Sequence, residues 1–455
     1  MNLGSALTTA SSGLESITRR LALISQNVAN AGTPGYVRQT IAVSSATAGG
    51  EGMGVRTGVA TRNLDEQLQA DVFTANATTA ASDVRTAALA GIDATSGMPG
   101  SGRDLPGLLG ALRDGFSALS ADPASGSQQL KVIQQAKSLA AGLNELGHAV
   151  SQARQNAQDT LVSDTTTANT ALQTLGKLSD EVIKATARGE STADLENQRD
   201  AQMHTISELT GAQFLRQPNG DMLAVSSGAV LPLRASTGPF TISDATLAPD
   251  TPAVAVPRLE LAGTDVTGRG LGGRIGANLA LRDQELSGLQ AGLDGFTQAL
   301  ASGFQRQGVT LFTNAAGVVP AAGTAGFAQT VQVASAVVAT PTMVRDGAAP
   351  AGSAGNTALI DSVLSSVLGT GAGTLAARAT SLTAGHASLA ADAAARADTN
   401  KAVQTTLEAK LAAGTGVSVD TEMAEMVTLQ NAYGANAKVI AASQAMWTQL
   451  LDSVR

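Results

Sequence analysis

Near the start of the chain, apolar residues recur at alternating spacings of four and three: Leu3, Leu7, Ala10, Leu14, Ile17, Leu21, Ile24 and Val28. That spacing draws one narrow stripe along a helix, the seam of a coiled coil, and predicts a coiled-coil helix over 1–29. The stripe stops in "NAGTPGY", where Asn30 and Gly32 can end a helix and Pro34 forces Thr33 out of the helical region. At the other end, Met423, Met426, Gln430, Tyr433, Ala437, Ile440, Gln444, Trp447, Leu451 and Val454 repeat the spacing and predict a second such helix over 417–455. Ser418 or Asp420 can cap it, and Glu422 and Glu425 lie near its positive end. The two seams either belong to unrelated amphipathic helices docked on a globular body or pair with each other and with neighbouring copies. Each deeply buried Leu or Ile contributes about 1.5–3 kcal/mol, against an ordering cost of about 1–2 kcal/mol per residue fixed. A terminal pair is therefore expected to be marginal in a free subunit and to order on assembly.

Between the ends the period changes several times. Residues 30–62 read as the break followed by a β-hairpin, with Ile41 and Val43 opposite Val55 and Val59 across a Gly-rich turn. Residues 63–210 read as a long-helix bundle. Its stripes run through Leu64, Leu68, Val72 and Val84, then Leu108, Leu112, Phe116 and Leu119 as far as Asp122 and Pro123. A further helix or pair of helices carries Leu130, Ile133, Leu143, Val150, Leu161, Leu172, Leu175 and Val182. Residues 211–270 are β-rich, with a turn at Asn219-Gly220. Helical spacing returns over 271–308 through Ile275, Leu279, Leu286, Leu289, Leu293, Phe296, Leu300 and Phe304. A small β/loop region is expected over 309–355 and a helical return over 356–416. The predicted class is mainly α with β insertions: terminal coiled-coil helices, a central long-helix bundle and smaller β-rich domains.

Composition narrows the function. The 455 residues are 43% apolar but only 2% aromatic, so the helices should pack through small side chains, which suits slender bundles better than a deep catalytic cleft. A net charge of −8 offers no electrostatic footprint for nucleic acid or for an anionic membrane surface. Without cysteine there is no disulfide, thiolate metal site or thiol nucleophile. The N-terminal stretch lacks the basic and apolar regions of a cleavable secretory signal, and no run approaches the length of a membrane span, so no membrane insertion is expected.

The candidate chemistry is thin. His148, His204 and His386 lie on separate predicted helices at no metal-ligand spacing, so no metal is expected. "GTDVTGRGLGGRIG" holds Gly268, Gly270, Gly272 and Gly273 without the order of a dinucleotide fingerprint or phosphate loop, and reads as turn glycines before the Ile275 helix. The carboxylates Asp420, Glu422 and Glu425 stand where a helix start favours negative charge, not as a glycosidase pair. Arg19 and Arg20 form one local basic pair, a solvated face or a contact between copies. No catalytic residue and no cofactor are expected.

The motifs together resemble one family. "SSGLESITRRLALISQNVANAGTPGYVRQ" resembles the shared N-terminal signature of the bacterial flagellar axial proteins, the rod, hook and hook-associated subunits, and "LQNAYGANAKVIAASQAMWTQLL" resembles their C-terminal one. The interior stretches "LPGLLGALRDGFSALSADPASGSQQLKVIQQAKSLA", "LENQRDAQMHTISELTGAQFLRQPNGDMLAV" and "GGRIGANLALRDQELSGLQAGLDGFTQALASGFQRQ" are similar to the central region of the hook-associated protein 1 subfamily, which forms part of the hook–filament junction. The resemblance covers about 1–310 and 417–455.

It implies a non-enzymatic structural subunit of the flagellum, outside the cell. Such a subunit is exported by the flagellar type III system without a cleavable signal peptide, with the help of an export chaperone. It implies a ring-like assembly of copies, hook protein below, and the next junction protein and filament above. In that assembly Leu7, Leu14, Ile17, Leu21, Ile24 and Val28 with Met423, Met426, Tyr433, Ile440, Trp447 and Leu451 would build an inner coiled-coil layer. The Asn30, Gly32, Thr33, Pro34, Gly35 and Tyr36 break would join that layer to an outer body. Residues 320–415 carry little of the signature, so an outer β-domain is expected to be reduced or absent. Gly434, where a longer polar side chain is usual, would permit a close helix approach. The rival readings are a hook or rod subunit, an exported cell-wall hydrolase, and an adhesin-like stalk whose heptads should continue through the middle.

Overall fold

The computed structural model describes residues 3–33, 35–48, 51–97, 100–235, 237–251, 255–348 and 355–453. Along the chain run α1 (Leu3–Ala29), β1 (Gln39–Ala48), β2 (Glu51–Arg62), α2 (Glu66–Ser96), α3 (Leu105–Ala121), α4 (Gly126–Arg188) and α5 (Ala193–Thr210). There follow β3 (Gln213–Arg216), β4 (Met222–Ser226), β5 (Ala229–Leu231), β6 (Phe240–Thr241), β7 (Glu260–Leu261) and β8 (Thr264–Asp265). Next come α6 (Gly273–Ala280), α7 (Leu286–Arg306), β9 (Phe312–Thr313), α8 (Phe327–Thr330), β10 (Gln332–Val333), α9 (Ser335–Ala339) and α10 (Met343–Asp346). The chain closes with α11 (Ala358–Ser366), α12 (Leu375–Thr415) and α13 (Val419–Ser453). The fold is mainly α with small antiparallel sheets, the class that the alternating periods predict.

The stretch read as a helix or a pair of helices is one helix, α4, of 63 residues and about 95 Å at ~1.5 Å per residue. Its apolar stripe is buried at Ile133, Leu143, Val150, Leu161, Leu172, Leu175 and Val182, while Leu130 is exposed. The domain limits drawn at 63 and 210 do not coincide with the compact units. One unit comprises Met1–Ala77, Ala168–Pro239 and Ala402–Arg455, the other Thr78–Thr167 and Phe240–Lys401, so α2, α4 and α12 each run from one into the other. Helical periodicity marks a helix but not which neighbours share its successive turns.

In the first unit the β1–β2 hairpin pairs Ile41 with Ala60, Val43 with Thr57 and Ser45 with Val55, instead of setting Ile41 and Val43 against Val55 and Val59. Irregularities after Ile41 and after Ala46 shift the register, which period-two counting does not anticipate. The sheet β3-β4-β5 turns at Gly220, whose φ of 88° is the left-handed conformation that glycine adopts freely. Phe214 on this sheet meets Phe73 of α2 edge to face, ring centroids 5.7 Å apart.

The second unit is organised around α3, α4, α7 and α11. Leu112, Phe116, Leu139, Leu143, Leu300 and Phe304 are fully buried there, with the Phe304 ring tilted against Phe116 at 5.7 Å and edge to face with Phe312 at 5.6 Å. The 271–308 helix is interrupted by a π-helical turn, Leu281–Glu285. The extra residue in this turn belongs with Arg282 being wholly buried, where it donates to Gln158 Oε1 at 2.5 Å and to Asp283 at 2.6 Å. The described part of 309–355 holds only the two-residue strands β9 and β10 and the short helices α8, α9 and α10.

Candidate assembly interface

The two ends of the chain meet in the first unit. Ile17 and Ile24 of α1 and Leu429 of α13 form a buried cluster, flanked by Leu21, Val28, Met426 and Ala432. Asn27 bonds Glu422 near one end of this contact, and Gly13 approaches Asn436 near the other, so the helices run antiparallel. A Cβ on Gly13 would lie 3.3 Å from Asn436 Oδ1. At Gly434, where the close approach was expected, a Cβ would meet nothing within 4 Å.

On α13 the buried line runs through Glu422, Leu429 and Ser443, with half-buried Asn436 completing a seven-residue spacing. It lies one position away from the stripe that apolar residues suggest. Of the predicted seam, Ile17, Ile24, Leu21, Val28 and Met426 take part, while Leu14 and Ile440 are half-buried. Leu7, Met423, Tyr433, Trp447 and Leu451 are exposed, as are Gln430 and Gln444. The Leu3 side chain and Val454 lie outside the described residues.

The polar residues on that line explain the shift. Asn27 is 1% exposed, and its amide donates to the Gln39 carbonyl at 3.0 Å and to Glu422 Oε2 at 3.2 Å. Its Oδ1 accepts from the Gln39 N–H at 3.2 Å and from the Tyr36 hydroxyl at 3.0 Å. Glu422, fully buried, also accepts from Arg38 Nε at 2.5 Å, and Glu425 accepts from Arg20 at 2.5 Å and from Arg38 at 3.3 Å. One amide thus joins α1, the break, the hairpin and α13. Burying a carboxylate without such partners would be strongly unfavourable, so the network fixes which faces of α1 and α13 can meet. Burial, with Asp194 and Glu422 nearby, pushes the Tyr36 hydroxyl up to about 12, so it remains a donor.

The break itself is a turn. Asn30 returns its side-chain amide to the Gln26 carbonyl at 2.9 Å, the Thr33 N–H bonds the Asn30 carbonyl at 2.9 Å, and the Tyr36 N–H bonds the Thr33 carbonyl at 3.2 Å. Gly35 has φ +77°, while Gly32 faces open space and Pro34 lies outside the described residues. Beyond it, the Arg38 N–H bonds the Thr415 carbonyl at 2.8 Å, which ties the start of the hairpin to the end of α12.

The hairpin is held at two points. Near its tip Gly54, at φ +106°, lets the backbone close on α1, and the Val55 N–H donates to Ser12 Oγ at 3.1 Å. At its base the buried Arg62 bonds Glu196 at 3.0 Å and Asp200 at 2.7 Å on α5, and Arg216 adds a bond to Glu196 at 2.8 Å. Burial raises the Glu196 pKa, but Arg62, Arg216 and Arg199 outweigh it and hold the carboxyl below its ordinary value.

The other candidate groups are dispersed. His148, His204 and His386 sit on α4, α5 and α12, and the described residues contain no cluster that could hold a metal ion. The 268–273 glycines lead into α6, Arg19 pairs with Glu15 within α1, and Arg20 reaches Glu425. No described helix is long and apolar enough to cross a membrane. Asn27, Arg38, Gln39, Arg62 and Glu196 escaped the sequence reading. A polar residue inside an apolar stripe, as Asn27 is beside Ile24 and Val28, is the one signal that marks any of them.

Residues 93–318 match the family model of the flagellar hook-associated protein FlgK helical domain. Residues 412–453 match that of the flagellar basal body rod FlgEFG protein C-terminal. No curated protein sequence matches significantly. Among solved structures, the flagellar hook junction protein FlgK from Burkholderia pseudomallei is similar at 22% identity and a TM-score of 0.43, over 57% of this chain and 46% of that one. The chain therefore matches less than half the length of that solved relative.

Proposed function

We propose that the chain belongs to the FlgK family of flagellar hook-associated proteins and that it is a structural, non-enzymatic subunit of the junction between hook and filament. The observation that carries the reading is the incomplete pairing of α1 with α13. Past Leu429 the second helix keeps Tyr433, Val439, Met446, Trp447, Leu450 and Leu451 exposed. An apolar stripe of this kind on a helix suits association with further helices. In this reading the missing partners are α1 and α13 of neighbouring copies, arranged head to tail in a ring. Hook protein lies below, and the next junction protein and filament lie above. Delivery through the flagellar type III apparatus, without a cleaved signal and with an export chaperone, belongs to the same proposal. The Asn27 node would lock the pair once both termini have arrived.

Deletion of the gene, scored by electron microscopy and by flagellin in the medium, tests the proposal. Complete hooks without filaments, with flagellin shed, are expected; normal filaments would overturn it. The match of 412–453 to the rod C-terminal model favours a second reading, a rod or hook subunit. Loss of the hooks themselves would support that one instead.

A further inference from the structure

His386 of α12 is 6% exposed, and neither ring nitrogen has a hydrogen-bond partner. Its surroundings in the second unit are mostly apolar: Ile92 of α2, Leu146 and Val150 of α4, Leu289 and Leu293 of α7, and Leu382 one turn earlier on α12, with the hydroxyl residues Ser96 and Thr383 also in the lining. Leu105 of α3 also lines the site, and a cavity of about 40 Å3 beside the ring has room for water. Among the described residues the one charged group facing the ring is the Asp93 carboxylate of α2, at 3.9 Å and half exposed. A neutral imidazole fits this pocket as a mostly apolar ring, whereas an imidazolium brings a charge for which the one opposite charge is Asp93, at the edge.

We propose that His386 is a proton-sensitive latch. Neutral, it holds the 375–401 segment of α12 against the helices around the pocket. Protonated, it leaves the pocket toward Asp93 and water, and the segment loosens. Burial lowers the His386 pKa below the ordinary 6.5, and Asp93 offsets this only in part. The sign follows: the unfolded or opened chain binds the proton more readily than the closed one. The closing contribution is therefore complete above the ordinary histidine pKa and falls as the pH drops toward the lowered one.

Amide hydrogen exchange of the full-length chain at about pH 7.5 and about pH 5, corrected for intrinsic rates, tests the latch. Exchange around residue 386 should accelerate in acid, by up to about tenfold for each pKa unit by which the closed pocket depresses the ring. His386→Leu, which keeps the pocket filled, should abolish that acceleration. If this variant fails to fold, Asp93→Asn carries the test. In it the NMR titration midpoint of the His386 ring should fall further below 6.5 than in the parent chain. The same acid acceleration in His386→Leu, or a ring that titrates at or above 6.5 in the parent chain, overturns the proposal.

Discussion

Asn27 and Glu422, 395 positions apart in the chain, share a 3.2 Å hydrogen bond at a point where both side chains are buried. The bond makes the pairing of the two ends specific. Apolar contacts between α1 and α13 could slide, since Leu, Met and Ala tolerate several registers. A buried carboxylate that needs Asn27 and Arg38 tolerates one. Replacing Asn27 with Leu keeps the volume but leaves Glu422, the Gln39 N–H and the Tyr36 hydroxyl each short of a partner. A loss of about 2–4 kcal/mol is expected, read as weakened hydrogen-exchange protection of α1 and α13 amides in urea. Unchanged protection would show that the apolar cluster alone sets the register.

The hairpin base should be acid-sensitive. Glu196 has a folded pKa below its ordinary 4.5, so its contribution is present above 4.5 and is lost as the pH falls through the lowered value. Acid should therefore loosen β2 from α5 in the parent chain, and Glu196→Gln should flatten that dependence while lowering stability near neutrality. Equal acid profiles for the two chains would remove Glu196 from the account.

Two glycines should respond oppositely to alanine. At Gly54 a Cβ would fall 2.2 Å from Ser12 Oγ at a φ of +106°, so Gly54→Ala should cost about 1–3 kcal/mol. At Gly434 a Cβ meets nothing within 4 Å, so Gly434→Ala should stabilise α13 by roughly 0.5–1 kcal/mol. Thermal unfolding of both variants reads the difference directly. Destabilisation by Gly434→Ala would restore a close helix approach at that position.

Trp447, the single tryptophan, is 58% exposed in the lone chain. Its fluorescence should be that of a solvated indole in dilute protein and should shift to the blue as copies associate. Trp447→Ala should fold normally and associate less. A blue emission that does not change with concentration would mean that the stripe is already covered.

Much of the helical architecture was legible because long elements repeat their signal. The stripe through Ile133, Leu143 and Leu172 needs no tertiary context to be seen, and neither does the change of period at Gly211. The α13 face was less legible, since its buried line is built of Glu422, Asn436 and Ser443 around Leu429, while Tyr433 and Trp447 carry the stronger hydrophobic signal and face solvent. Hydrophobic periodicity reports what a helix can bury in all its assemblies together, not what a single chain buries. The Arg62 and Glu196 pair was out of reach for another reason: two charged residues far apart in sequence show nothing until the hairpin and α5 bring them to 3.0 Å.

If the exposed face of α13 builds the hook–filament junction, as proposed, charges placed on it should block filament growth. The direct measurement is electron microscopy of a deletion strain complemented with a Trp447→Asp, Leu451→Asp double variant, together with a flagellin assay of the medium. Both residues are exposed in the single chain, so the variant should fold as the parent does. Finished hooks, no filaments and flagellin in the medium are expected, against full filaments with the parent gene. Full-length filaments on cells carrying the folded variant would contradict it.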